Sequence, residues 1–210
     1  MVPPFGGQGG FLFSTAYLPP ISYVSKLLKA EEVVIEQHEH YIKQTYRNRT
    51  EIYGANGKLS LTIPVDHHDL FTLPIKEVKI SRDQPWQKIH WRSIESAYRN
   101  SPYFEYYEDD LKVFYGKEYT YLLEWNNELL KSVLHIAGIK KEISFTASYE
   151  KEHENILDLR GAFTPEKRSM NELQYRQVFS DKHGFIADLS IIDLLFNEGP
   201  KAIGHLQSIS

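Results

Sequence analysis

Three basic residues share one short stretch, HYIKQTYRNRTEI, over residues 40–52. In an extended chain Lys43, Thr45, Arg47 and Arg49 project to one side, and Gln44, Tyr46 and Asn48 to the other. Cations lined up this way repel each other unless something anionic neutralises them. The planar fork of arginine matches a carboxylate or a phosphate in a bidentate pair. The chemistry implied is capture of a small anion. The alternative is that the charges solvate an exposed strand or pair with the chain's abundant Glu.

A second stretch, FLFSTAYLPPISY over 11–23, runs from an apolar strand into a helix through Thr15, Tyr17, Pro19 and Pro20. A polar loop at such a junction is where open α/β sheets bind ligands. The free N–H groups and positive end of the helix suit a phosphate or carboxylate, and Tyr17 can stack on a sugar or base. The competing reading is that the prolines only stiffen a turn while Tyr17 packs inward. The expected pocket has Tyr17 and the Pro19-Pro20 turn as one wall and Lys43, Arg47 and Arg49 as the other. Thr15, Tyr46 and Asn48 complete the expected substrate-binding set, for a small anionic ligand such as a nucleotide sugar or acyl donor.

Proton chemistry points to His90, which shares the apolar arc of its helix with Trp86 and Ile94. Two readings are open: a core histidine satisfied by one hydrogen bond, or a general acid/base tuned by partial burial. Asn126 stands among leucines and either braces a loop or reaches a ligand, since a buried amide needs partners. His38 and His40, and the Asp66-His67-His68-Asp69 run, are rich in donors but too sparse for the three convergent ligands a metal needs. They read as surface residues, and no metal is expected. No Cys nucleophile, Gly-x-Ser-x-Gly or Walker loop occurs. Any chemistry is then acid–base and electrostatic, and the cofactor question stays open.

Composition narrows the classes. The 210 residues are 41% hydrophobic and 25% charged, with 14 Tyr and 11 Phe, as in a soluble globular protein. No apolar run approaches the roughly 18 residues of a membrane span. The N-terminus lacks a basic region, and FLF is too short for a signal-peptide core. The absence of Cys excludes disulfides and thiolate chemistry, and fits a cytoplasmic location. A net charge of -4 gives no electrostatic reason to expect nucleic acid as a partner. The oligomeric state is not legible.

The elements that must position these residues follow from periodicity. Residues 1–10 are Gly/Pro-rich and read as a flexible N-terminus; 11–206 read as one α/β domain. FLFST, a helix over 21–30 and EEVVIEQ form a βαβ start, which implies a mainly parallel, Rossmann-like sheet. TEIYGANGKLSLTIPV reads as a hairpin. A helix is expected over 83–104, with Trp86, Ile89, His90, Ile94 and Ala97 inward and Lys88, Arg92, Glu95 and Arg99 outward. A long helix over 118–138, a strand in KEISFTASY and a loop-rich 150–172 come next. Near the end, Ser190 and Asp193 have the spacing of a capping box.

Taken together, YLPPISY, HEHYIKQTYRNRTEI, LTIPV, WQKIHWRSIESAYRNSPYFEYY and LSIIDLLFNEGP resemble the WbqC-like family, in that order and over roughly 11–206. This bacterial family is often encoded beside genes for O-antigen and other surface polysaccharides. The resemblance implies a role in building or decorating a surface glycan, as a transferase of acyl or aminoacyl type that uses an anionic activated donor. The alternative is a non-catalytic ligand-binding or scaffold subunit of the same pathway. Many relatives carry Gln-Pro and a Gly around the opening turn; here Thr15-Ala16 and Ser22 stand instead.

Overall fold

The computed structural model describes residues 9–66, 70, 72–167 and 174–209. The first eight residues of the expected flexible N-terminus, and His67, His68 and Asp69, lie outside them. Strand β1 (Gly10–Ser14) and strand β2 (Glu32–Glu36) pair in parallel, with Gly10 opposite Glu32 and Ser14 opposite Glu36. Helix α1 (Ile21–Lys29) connects them and buries Ile21, Val24 and Leu27. Parallel neighbours need such a crossover because a tight turn cannot reverse the direction twice.

Past the hairpin strands β3 (Arg49–Gly54) and β4 (Gly57–Thr62) come three helices: α2 (Trp86–Tyr98), α3 (Phe104–Tyr115) and α4 (Leu122–Ile136). The hairpin turns at Gly57, whose φ of +94° favours glycine. Strands β5 (Ile143–Phe145) and β6 (Ile156–Asp158) then complete a four-stranded parallel sheet in the order β5-β2-β1-β6. Strand β6 lies inside the stretch expected to be loop. Three residues are too few to show a period of two. The chain closes with α5 (Ser180–His183), α6 (Ile191–Glu198) and α7 (Ala202–Ser208). The architecture is α/β, a mainly parallel sheet with added helices and a separate antiparallel hairpin.

The single helix expected over 83–104 is two. After Tyr98 the chain turns, Ser101 N donating to Tyr98 O (2.8 Å), before α3 begins at Phe104. Lys88 and Arg92 of α2, and Arg99 just past its end, are exposed as expected, but Ile89 is 50% exposed because Trp91 takes the inward place beside His90 and Ile94. The interior is aromatic. Trp125 of α4 is fully buried, with the rings of Tyr17, Trp86, Phe114, Tyr115 and Tyr119 around it at 5.1–6.5 Å.

The Pro19-Pro20 turn proves to be a docking point for the end of the chain. At the start of α1, Ile21 N donates to Leu189 O (3.0 Å) and Ser22 N to Asp188 Oδ1 (2.9 Å). Ser22 Oγ donates to Asp188 Oδ2 (2.9 Å), and Tyr23 N and Val24 N turn back to Pro20 O. Pro20 has no N–H to satisfy, so the orphan donors of this helix start, those of Ile21, Ser22 and Tyr23, are all taken. A buried carboxylate of the protein itself occupies the positive end that was expected to hold a ligand. Leu18, at φ +40°, is in the left-handed region that costs a non-glycine residue energy. Its carbonyl is held by Thr50 Oγ1 (2.8 Å) and Ser190 Oγ (3.0 Å).

That second bond also removes the expected capping box. Ser190 Oγ is spent on Leu18, and Asp193 turns inward, fully buried. It accepts from Tyr98 Oη (2.8 Å), Tyr175 Oη (2.5 Å) and Gln177 Nε2 (2.8 Å). Burial pushes its carboxyl above the ordinary value, against the pull of those three donors.

Candidate functional site

The row of cations does not form an extended face. Residues 41–48 run through successive turns, with Gln44 at φ +59°, and only from Arg49 onward is the chain a strand. The turns send the basic residues to different places. Arg47 is buried and donates to Glu39 through Nε (2.9 Å to Oε1) and Nη2 (2.6 Å to Oε2), a bidentate pair. Its remaining hydrogen bonds reach Ser14 Oγ (2.9 Å) and Thr45 Oγ1 (3.2 Å). Among the two readings of the stretch, pairing with a glutamate is the one that holds for Arg47.

This pair stands at the carboxyl edge of the parallel sheet. The direction of strand addition reverses between β1 and β6, the usual ligand position of such sheets. Here protein side chains fill it. Arg160 lies beside Glu36 (3.4 Å) and Asp158, while Ser14 Oγ donates to Arg160 O (2.8 Å). The crevice left among Thr15, Tyr46, Arg47 and Arg160 measures about 10 Å³, room for a single water. Thr15 Oγ1 and the Arg47 carbonyl both accept from Asn126 Nδ2, at 3.2 and 2.7 Å. Asn126 therefore braces the two loops against each other.

Tyr17 and His90 meet, but deep in the core. Tyr17 is fully buried, and its hydroxyl contacts His90 Nδ1 (3.0 Å) and Tyr115 Oη (2.8 Å). Of the two readings of His90, the hydrogen-bonded core residue is the one observed. Burial lowers its pKa to about 4, with a contact to the Thr62 backbone pulling the other way. The sign of the pH effect follows. The unfolded imidazole takes up a proton below about pH 6.5, whereas the folded one stays neutral until about pH 4. Its contribution to stability is therefore complete above pH 6.5, is lost as the pH falls, and is gone below 4. Urea unfolding of the parent and of His90→Gln at pH 7 and pH 4.5 is expected to show a smaller pH difference in the variant. An equal difference in both would mean that the ring titrates normally.

The open cleft lies on the other side of the 41–49 turns. It measures about 420 Å³, within the range of small-molecule sites. Tyr41, Lys43, Gln44, Asn48 and Arg49 form one wall, residues 62–66 the floor, and Ser81, Asp83 and Gln84 the far wall. Backbone pairing holds these parts together. Ile63 N donates to Asn48 O and Asn48 Nδ2 to Ile63 O, both at 2.8 Å. Ser81 N donates to Pro64 O (3.0 Å), and Asp66 N to Lys79 O (3.0 Å). Ser81 Oγ in turn donates to Asp83 Oδ2 (2.9 Å). Burial raises the Tyr41 hydroxyl to about 12, so it stays a neutral hydrogen-bonding group. The Nε of Arg49 is buried with no hydrogen-bond partner among the described residues.

Of the expected substrate-binding residues, the cleft brings together Lys43, Asn48 and Arg49. Thr15, Tyr46 and Arg47 belong to the sheet edge, and Tyr17 and His90 to the aromatic core. Ser81, Asp83 and Gln84 escaped notice because they reach the cleft only through the pairing of 80–81 with 64–65, which no local pattern announces. Among the described residues no group of three or more His, Asp or Glu is arranged to hold a metal ion. None of their helices is long and apolar enough to cross a membrane.

The model of the WbqC-like protein family matches residues 15–167. The chain belongs to this family. The matched stretch of this WbqC-like chain contains every cleft residue and ends before the closing segment that docks on Pro20. A curated relative, the "Uncharacterized protein Rv1507c" of Mycobacterium tuberculosis, is 28% identical over 218 residues, covering 91% of this chain and 94% of that protein. No solved structure matches the WbqC-like chain at a significant level.

Proposed function

We propose that the cleft binds an anionic, polar small molecule, and that this WbqC-like protein uses such a molecule as the activated donor of a transfer step in surface-polysaccharide assembly. One observation carries the reading. Arg49 sits on the cleft wall with its Nε buried and without a hydrogen-bond partner among the described residues. A desolvated guanidinium N–H left unsatisfied costs free energy, which a carboxylate or phosphate oxygen would recover. Lys43 adds a second positive charge on the same wall, with Asp66 and Asp83 on the other parts of the cleft, and Gln44, Asn48, Ser81 and Gln84 add neutral donors and acceptors suited to hydroxyl groups. Nucleotide sugars and acyl thioesters of coenzyme A are the donors to try. A cysteine-free chain fits work in the cytoplasm.

Calorimetry of the parent against these donors is expected to show binding, and Arg49→Gln to weaken it about tenfold or more, as for a lost charge-assisted hydrogen bond. Since Arg49 makes no hydrogen bond from Nε among the described residues, the variant should melt close to the parent. A parent that binds none of these donors, or a variant that binds as well as the parent, would refute the reading.

A binding role without catalysis is favoured by the place of His90. The expected acid/base is 4% exposed and engaged with Tyr17, and it is not among the residues that line the cleft. Mass spectrometry of bound donors after incubation separates the two roles, because only an enzyme consumes the donor.

A further inference from the structure

A second cavity of about 570 Å³ adjoins the cleft. Both are built on one backbone spine. Residues 78–81 pair with 64–66 on one side and with 120–122 on the other: Asp66 N donates to Lys79 O, Ser81 N to Pro64 O, Ile80 N to Thr120 O and Leu122 N to Val78 O, all at 2.9–3.0 Å. Asp66 and Leu70 line both cavities. Ligands seated in the two would therefore meet at Asp66, as the two substrates of a transfer must.

The chemistry of the second cavity differs from that of the first. Leu73 gives it a partly exposed apolar side, backed by the buried Leu70 and Val78, and Tyr121 is 39% exposed although its backbone is pinned by the spine. Among the described residues Glu77, Lys79 and Asp66 supply charged hydrogen-bonding groups with a net charge of about -1, which disfavours a second anion. An apolar wall, one aromatic plate and a few hydrogen-bonding groups suit a molecule with an apolar face and a hydroxylated rim. We propose that this cavity is a binding site for a neutral saccharide, the acceptor that faces the anionic donor. The acceptor role rests on the donor reading of the cleft; the site itself does not.

Saturation-transfer NMR on the full chain tests it, with methyl α-D-glucopyranoside, methyl β-D-galactopyranoside and N-acetylglucosamine as sugars and uridine diphosphate as the anion. At least one sugar is expected to bind with uridine diphosphate present. Tyr121→Ala should weaken that sugar about tenfold or more, as truncation of an aromatic anchor does, and leave the anion unaffected. Arg49→Gln should do the reverse. If no sugar binds, or if the bound sugar ignores Tyr121→Ala, the second site is overturned whatever the anion does. If the sugar binds in a Tyr121-dependent way and uridine diphosphate does not bind, the saccharide site stands and the donor reading falls.

Discussion

Alanine in place of Asp193 is expected to destabilise the protein by about 3 kcal/mol or more, since it removes the shared acceptor of three buried donors at roughly 1–3 kcal/mol each. Tyr98, Tyr175 and Gln177 all point at this carboxylate and are at most 8% exposed, so water cannot replace it. The loss also spreads along the chain. Tyr98 Oη accepts from Tyr53 N (3.0 Å), so a loosened Tyr98 frees a backbone donor of β3. Asp193→Asn should recover part of the loss, because tyrosine hydroxyls can accept from an amide as well as donate to it. Urea unfolding at pH 7, followed by circular dichroism, reads both variants. An alanine variant within about 1 kcal/mol of the parent would mean that the cluster rearranges around other acceptors.

Arg47→Met is expected to cost about 3–5 kcal/mol, the range for removing one partner of a buried ion pair. Glu39 would keep Ser14, whose hydroxyl lies 3.1 Å from Oε2, as its one side-chain hydrogen-bond partner among the described residues. The penalty belongs to the abandoned carboxylate rather than to the lost attraction. Removing both partners, in Arg47→Met with Glu39→Leu, should therefore restore much of the stability. A double variant as unstable as the single would place the cost in Arg47's contacts to Ser14 and Thr45 instead. Arg47→Met and Arg49→Gln together form a contrast within one short stretch: the first changes melting, the second changes binding.

That contrast marks where sequence reasoning succeeds and where it stops. The βαβ start was legible because α1 is amphipathic and Val33-Val34-Ile35 is a continuous apolar run, as a strand covered on both faces requires. The hairpin was legible from its Gly-rich turn. Helix α3 was hidden by a run of tyrosines and acids whose apolar members, Phe104, Leu111, Phe114 and Tyr115, are widely spaced. The site was half legible. Lys43, Asn48 and Arg49 are local to one stretch, but sorting Arg47 from Arg49 needed the reversal at Gln44, a residue with no obligation to turn. The Tyr17–His90 contact joins residues 73 positions apart, and no local signal carries that information.

The docking of Asp188–Ile191 on Pro19 and Pro20 sets an order of events during synthesis. Ile191 N donates to Pro19 O (2.9 Å), and Ser190 N to Glu51 O (2.8 Å), so the start of α6 seals the start of α1. Until residue 191 has left the ribosome, α1 has an uncapped N-terminus and the hairpin lacks a neighbour. The nascent chain must hold its opening βαβ unit incomplete while the chain as far as residue 191 is translated, at about 5–20 residues per second. Closing a loop of some 170 residues is a long-range step, and contacts of that kind make this a slow-folding topology.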